Sequence, residues 1–268
     1  MKAFFYRMLL FFFRILWKSR GYRKIYIAGH LIKLAPESDI LLSWVNLLFS
    51  PFRQKKIVSY TDHVQMNALI RKAEMLPDSP VIMDIGAYHG LYAIPLGKII
   101  QQKSGKMIAV EPVSRHIEVL QKNVRLNHLE NTVEIVPRAA GDHQGETWVH
   151  DSGSQSYVHP DQESGEKVSL AGIDELLARN GVTRLDMLII DVEGAELQVL
   201  KSFPWDSLPA PFLFCEMHPY NWENYGYTGE DVTRFLSVHH FKCIDMYFQE
   251  HKTFTDRGYI GPCLLLPE

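Results

Sequence analysis

Only three cysteines occur in 268 residues, Cys215, Cys243 and Cys263, and no two of them form a C-x-x-C pair. Their odd number and unpaired spacing exclude a disulfide framework and a cysteine-built zinc site, so they read as reduced thiols in apolar, strand-like runs of a cytosolic protein. An excess of positive charge is missing too: 28 Lys and Arg stand against 31 Asp and Glu, a net charge of −3. Without a basic field, duplex DNA and bulk RNA are not expected as partners. The chain has no internal repeat and no low-complexity linker. Near the N-terminus the longest uninterrupted apolar run is Met8 to Phe13, far below the roughly 20 residues that span a bilayer. The dinucleotide fingerprint G-x-G-x-x-G is also lacking, because Ala87, Tyr88 and His89 separate Gly86 from Gly90.

What is present suits one α/β domain with an extension: 46% hydrophobic and 22% charged residues supply a full core. Three parts are expected. Residues 1–20 form an N-terminal hydrophobic and basic helix, 21–60 a β/α extension, and 61–268 the main domain. In the first part Arg7, Arg14 and Lys18 fall on one helical stripe among Phe4, Phe5, Leu9, Phe12, Phe13, Leu16 and Trp17. That pattern fits a helix lying in a membrane interface, peripheral at the inner face, with its cations on anionic head groups. Arg14 interrupts the apolar region, and no A-x-A-like site follows, which argues against a signal peptide. Docking of this segment on the domain, or on a second copy in a homo-oligomer, is the competing reading. Two short strands about Gly29 follow, then an apolar helix over Ile40–Phe49, an Arg53, Lys55, Lys56 cluster, and a helix capped by Thr61 or Asp62 that runs to Leu76.

The centre of the sequence is Val81 to Leu91, which reads as strand, glycine turn, helix. Asp84 ends the strand where a pyrophosphate would be repelled and an ammonium group held. Glycine at 86 permits a sharp turn close to a ligand. A second strand, Lys106 to Val110, ends in Glu111, 21 residues past Gly90, where an acid grips ribose hydroxyls. Asp84, Gly86, Ala87, Gly90 and Glu111, with Asp191 across the crevice, together fit a seat for S-adenosylmethionine; an ordinary α/β turn with solvated acids is the bland alternative. After a helix capped by Ser114 and a strand over Val133–Val136, Asp142 sits in a loop at the same rim, facing either an adenine amine or solvent.

Further along, Gly145–Glu166 reads as a hairpin and long covering loop, and Ser169–Ala178 has helical spacing. The strand Arg184–Ile190 ends in Asp191, followed by Val192, Glu193, Gly194, Ala195 and Glu196. The strand Pro211–Met217 carries Glu216 and His218 two apart, on one face. Phe241–Phe248 and Gly261–Leu266 have no helix between them and should pair as an antiparallel hairpin, giving a mostly parallel sheet with one reversed strand.

Asp84-Ile85-Gly86-Ala87 with Gly90, Glu111-Pro112, Asn123, Asn127, the run Ile190-Asp191-Val192-Glu193-Gly194-Ala195-Glu196, and Glu216 with His218 resemble the FkbM family of S-adenosylmethionine-dependent methyltransferases. The resemblance covers roughly residues 60 to 240. It implies the Rossmann-like class I methyltransferase fold with a seven-stranded sheet, and O-methylation of a sugar, glycolipid or natural product. The usual Asn-Ile of the glycine loop is Tyr88-His89 here, and the Phe-rich N-terminus lies outside the family pattern.

Transfer to an alcohol needs proximity and proton removal. His218 is the candidate base, with Asp191 or Glu216 orienting it or the substrate, and His89 a weaker alternative. A divalent cation held by Asp191, Glu193 and Glu216 is a minority reading, beside a site with no metal. The aromatic segment Trp222–Tyr225 is expected at the acceptor pocket, either against a sugar face or in simple packing. A non-catalytic membrane-associated binding protein and a nicotinamide oxidoreductase are the competing classes; the second is disfavoured by Asp84 and the missing glycine.

Overall fold

The structure, a computed structural model, describes residues 21–27, 30–38, 60–153, 156–158, 165–254 and 260–267. The stretch 1–18, the helix expected over Ile40–Phe49 and the basic cluster after it lie outside the described residues. No helix among the described residues is long and apolar enough to cross a membrane.

Strands β1 (Arg23–Ile27) and β2 (His30–Leu34) pair antiparallel as the small hairpin expected from the glycine turn. Helix α1 (Tyr60–Met75) then leads into β3 (Val81–Ile85), α2 (Ala93–Gln101), β4 (Lys106–Val110), α3 (Ser114–Leu126) and β5 (Val133–Val136). Four strands follow, β6 (Ala139–Ala140), β7 (Gly145–His150), β8 (Tyr157–Val158) and β9 (Glu166–Ala171), before α4 (Ile173–Arg179) and β10 (Met187–Ile190). Helix α5 (Glu196–Lys201), β11 (Phe212–Met217), a 3-10 turn over Pro219–Tyr225, α6 (Gly229–Val238), β12 (Phe241–Asp245), β13 (Glu250–His251) and β14 (Gly261–Pro267) complete the order.

The main sheet runs β13-β12-β14-β11-β10-β3-β4-β5. Strands β11, β10, β3, β4 and β5 are parallel neighbours, while β14 lies antiparallel between β11 and β12. That reversal follows from the missing crossover helix between β12 and β14. The seven expected strands are joined by β13, a two-residue strand on the edge of β12. Because strand residues alternate faces, Ile82 joins one core with α1, α2 and α3, and Met83 and Ile85 join the other with α4, α5 and α6. The result is a three-layer Rossmann-like α/β fold whose chain starts at β3, winds out to β5 and returns to β10. The carboxyl ends of β3 and β10 therefore form the topological switch point, where ligands of such sheets bind.

Three details differ from the sequence reading, the first being that the helix expected to be capped by Thr61 or Asp62 already begins at Tyr60. Val113, without a side-chain cap bond, occupies the N-cap of α3. Ser114 instead turns its N–H (3.1 Å) and hydroxyl toward the Glu166 carboxylate. Residues 169–171 belong to β9, and the helix starts at Ile173. Buried Val168 and Leu170 alternate with exposed Lys167 and Ser169, a period of two that the helical spacing of Leu170, Ile173 and Leu177 masked.

Asn123 and Asn127 on α3 dock the hairpin. Asn123 accepts the Ala35 N–H (2.7 Å) and donates to the His89 carbonyl (2.7 Å), while Asn127 exchanges bonds with the backbone of Lys33 (3.0 and 2.6 Å). These buried amides tie the glycine loop to a peripheral element.

Candidate active site

The glycine turn is shaped by its neighbours in the protein. Gly86 has φ +85°, and a Cβ there would meet the Asp191 carbonyl oxygen at 1.8 Å. At Gly90, φ +93°, it would meet Ile94 and Leu120 side chains at 2.7 and 2.8 Å. The bare backbone at 86 is thus needed for β3 and β10 to end side by side, in addition to any approach of a ligand. The Gly86 and Ala87 N–H groups both donate to the Val110 carbonyl, at 2.9 and 3.0 Å.

Above the turn lies a crevice whose lining includes Gly86, Ala87, Tyr88, Glu111, Asp191 and Glu193, with Tyr157 and Val158 from the second sheet. That sheet, ordered β6-β9-β7-β8, contains the hairpin expected near Thr147–Val149, and its last strand roofs the crevice. Glu111 faces in, yet its oxygens already accept the Tyr88 N–H (2.8 Å) and the Val113 N–H (3.0 Å), and pair with His116 Nδ1 (3.1 Å). Three of about four lone-pair positions are used, leaving room for one further donor. Tyr88 sits at φ +47°, a left-handed conformation rare for an aromatic residue. The Glu111 bond and stacking of its ring on His89, centroids 3.8 Å apart, hold it there.

Asp84 lies below this lining and is fully buried; among the described residues neither of its oxygens has a hydrogen-bond partner. Burial pushes its pKa up to about 7; the Ala93 N–H offsets this in part, and Glu111 adds to the rise. An orphaned buried carboxylate beside an open crevice is a strong demand for a cationic or hydrogen-donating partner. Gly90 and His89 do not line the crevice. Asp142 does not line it either; it is exposed and bonds His143 at 2.6 Å.

Across the switch point a second polar group assembles. His218, 2% exposed, pairs through Nδ1 with Glu196 Oε1 at 2.7 Å. Its Nε2 lies 3.6 Å from Glu193, 3.8 Å from Glu216 and 4.0 Å from Asp191. Asp191, Glu216 and His218 are therefore brought together as their strand-end positions predicted. Burial works against charge on His218, but Glu196, through its hydrogen bond and its charge, then Asp191 and Glu193, push its pKa up to about 9. The acids around it thus favour the protonated imidazole, whereas a base acting through Nε2 needs the neutral one. Asp191 keeps 25% of its side-chain surface, yet burial and then Glu216 hold its pKa well above the usual carboxylate range, against the pull of His218.

Glu196 was quoted in the motif but given no role. It is 1% exposed and accepts from Gly194 N (2.9 Å), Trp222 Nε1 (2.7 Å) and Tyr227 OH (3.3 Å) besides pairing with His218. An acid in a helix's first turn is ordinary, so only burial distinguishes this one. Trp222 is spent on Glu196, and the Tyr225 hydroxyl accepts the Val158 N–H at 3.1 Å, so both pack behind the site. Tyr220, 43% exposed, donates to Glu193 Oε2 at 2.8 Å. Glu193 itself has φ +51° and is also held by Asn221, whose Nδ2 donates to its carbonyl at 2.9 Å.

Comparison with known proteins gives the family. A curated relative, the methyltransferase sdnD of Sordaria araneosa, is 26% identical over 160 residues, covering 47% of this chain and 61% of its own length. Among solved structures, the FkbM methyltransferase of Methylobacillus flagellatus KT has a TM-score of 0.47 at 16% identity, covering 71% of this chain and 44% of that one. An O-methyltransferase from Bacillus cereus, solved in complex with SAH, has a TM-score of 0.42 at 12% identity, covering 80% of this chain and 83% of that one. The chain thus spans less than two thirds of sdnD and under half of the solved FkbM protein. Residues 84–259, from the orphaned aspartate to the start of the final strand, match the Methyltransferase FkbM domain, and the chain belongs to the FkbM methyltransferase family.

Proposed function

We propose that the protein is an S-adenosylmethionine-dependent methyltransferase that methylates a hydroxyl of a sugar, glycolipid or natural-product acceptor. The observation that carries this reading is Asp84, buried and unpartnered beneath the crevice at the switch point of the sheet. The residues present fit that cofactor. An ammonium group would give Asp84 its missing partner, Glu111 keeps capacity for a ribose hydroxyl, and the apolar lining of Ile85, Ala87, Val110 and Ala140 suits a nucleoside. Bound there, the sulfonium would supply an electrophilic methyl group.

The chain's own residues then have three tasks. The roof formed by β8 limits access of water. The Asp191 and Glu193 carboxylates, on the crevice wall, orient an acceptor hydroxyl. Asp191, whose proton affinity burial and then the neighbouring Glu216 charge raise, takes the hydroxyl proton, with Glu216 and His218 beside it. Membrane-surface association through residues 1–18 belongs to the same proposal and suits a lipid-linked acceptor.

Isothermal titration with SAH and with NADH is the direct test. Binding of SAH alone, followed by transfer of labelled methyl from S-adenosylmethionine to a glycolipid extract, supports the reading. Binding of NADH alone would return the chain to nucleotide oxidoreductases, and SAH binding without transfer to any hydroxyl acceptor would leave a non-catalytic binding protein.

A further inference from the structure

Three carboxylates and one imidazole crowd the end of β10 and β11, and they come from separate segments: Asp191 and Glu193 from the turn after β10, Glu216 and His218 from β11 and the residue after it. One oxygen of Asp191, one of Glu193 and a nitrogen of His218 all lie within 4.8 Å of one another. We propose that Asp191, Glu193 and His218 form a divalent-cation site, the cation serving to bind and polarise the acceptor hydroxyl. The proposal rests on the methyltransferase reading for its role, though not for its existence.

Four observations converge. His218 Nε2 stands 3.6 to 4.0 Å from the three carboxylates; cation–ligand bonds of about 2.1 Å place donor atoms roughly 3 to 4 Å apart. The other imidazole nitrogen is held by Glu196 at 2.7 Å, and Glu196 is itself anchored by Gly194, Trp222 and Tyr227. A carboxylate behind a histidine, fixing which nitrogen faces outward, is the outer-shell arrangement of metal-ligating imidazoles, and the cation would take the place of the Nε2 proton. Negative charge is also in surplus, since Asp191, Glu193, Glu196 and Glu216 surround one histidine. Finally Asp84, on the adjacent strand and the same sheet face as Asp191, is fully buried with both oxygens unpartnered. Oxygen donors with one imidazole suit Mn²⁺, with Mg²⁺ and Zn²⁺ as neighbours in preference.

With Asp191 engaged by the cation, Glu216 remains to accept the proton. The hydroxyl O–H bond breaks and its proton passes to the Glu216 carboxylate. The freed electron pair forms the new O–CH3 bond as the S–CH3 bond breaks onto sulfur, leaving an ether and a thioether. The cation's share is to make the hydroxyl more acidic and to hold it in line.

Mn²⁺ titration of the full chain, read by electron paramagnetic resonance, tests the site without an acceptor. One Mn²⁺ per chain is expected, with pulsed spectra showing nitrogen coupling that vanishes in His218→Gln. Asp191→Ala and Glu193→Ala should weaken binding at least tenfold, and Glu196→Gln, which does not touch the ion, by roughly 10- to 100-fold. SAH titration on the same samples reports folding and the cofactor reading separately. Protein that binds SAH but takes up no Mn²⁺, Mg²⁺ or Zn²⁺ at millimolar concentration overturns the cation site. So does Mn²⁺ binding that is unchanged in both Asp191→Ala and Glu193→Ala. If Mn²⁺ binds as expected and SAH does not, the cation site stands and the cofactor reading falls.

Discussion

The α-carbon of Gly86 faces the carbonyl oxygen of Asp191 so closely that a methyl group on it would lie 1.8 Å from that oxygen. The two residues follow neighbouring parallel strands, so the floor and one wall of the crevice share one backbone contact. Gly86→Ala must therefore push β3 and β10 apart, in addition to straining φ +85°. The expected loss is several kcal/mol of stability, with SAH binding abolished. Gly90→Ala, which meets only side chains, should be milder. Melting curves of the two variants check the order, and equal losses would remove the backbone contact as the cause.

Asp84 trades stability for binding. Its folded-state pKa is raised to about 7 from 3.8, so its contribution is fully present below pH 3.8, declines as pH rises toward 7, and is lost above that. Asp84→Asn should thus stabilise the ligand-free protein at pH 8 by on the order of a few kcal/mol, seen as a higher melting temperature, and change it little at pH 4. The same variant should bind SAH at pH 8 roughly 10- to 100-fold more weakly, because the ammonium loses its charged partner. Calorimetry at both pH values checks both signs.

The protonation of His218 depends on Glu196. In chelator-treated protein its imidazole should titrate near pH 9, and in Glu196→Gln several-fold more readily, toward the ordinary histidine range. Nuclear magnetic resonance of the imidazole protons follows this directly. The variant should also lose roughly 2 to 4 kcal/mol, since an amide nitrogen replaces an acceptor of buried donors. An unmoved titration would remove Glu196 as the cause.

At the far sheet edge Asp245 accepts Tyr247 N at 2.8 Å and Gln249 N at 2.9 Å, and pairs with His251 at 2.9 Å. Burial alone would raise its pKa, but the His251 bond and these amides outweigh it and hold the carboxyl below its usual value. Its contribution is therefore present above about pH 4 and lost as pH falls through the lower folded value. Asp245→Asn should cost roughly 1 to 3 kcal/mol in urea unfolding at pH 7 and much less at pH 3.

Removing residues 1–20 should release the protein from anionic vesicles in co-sedimentation, because the stretch combines seven large apolar positions on its flanks with a stripe of Arg7, Arg14 and Lys18. Sedimentation unchanged by the deletion would reject that segment as the anchor.

Much of this protein was legible from local pattern. The order strand, glycine turn, helix at Val81–Leu91 and the absence of a helix between Phe241 and Gly261 are properties of short segments, and they dictated a mostly parallel sheet with one reversed strand. Polar residues at strand ends marked Asp84, Glu111, Asp191, Glu216 and His218, because a parallel sheet gathers its carboxyl ends at one rim. Less legible were β9, hidden by leucines that satisfied two periods at once, and the spent aromatic groups Trp222 and Tyr225, whose partners lie 26 and 67 residues away.

Residue types and spacing therefore determined which groups reach the rim. Only the tertiary structure decided their chemical states. Burial left Asp84 without a partner and made Glu196 the holder of His218. Desolvation and charge proximity act through space, and two residues apart in sequence can have opposite surroundings. The same packing surrounds His218 with Glu196, Glu193, Glu216 and Asp191, an environment that its place two residues after Glu216 does not reveal.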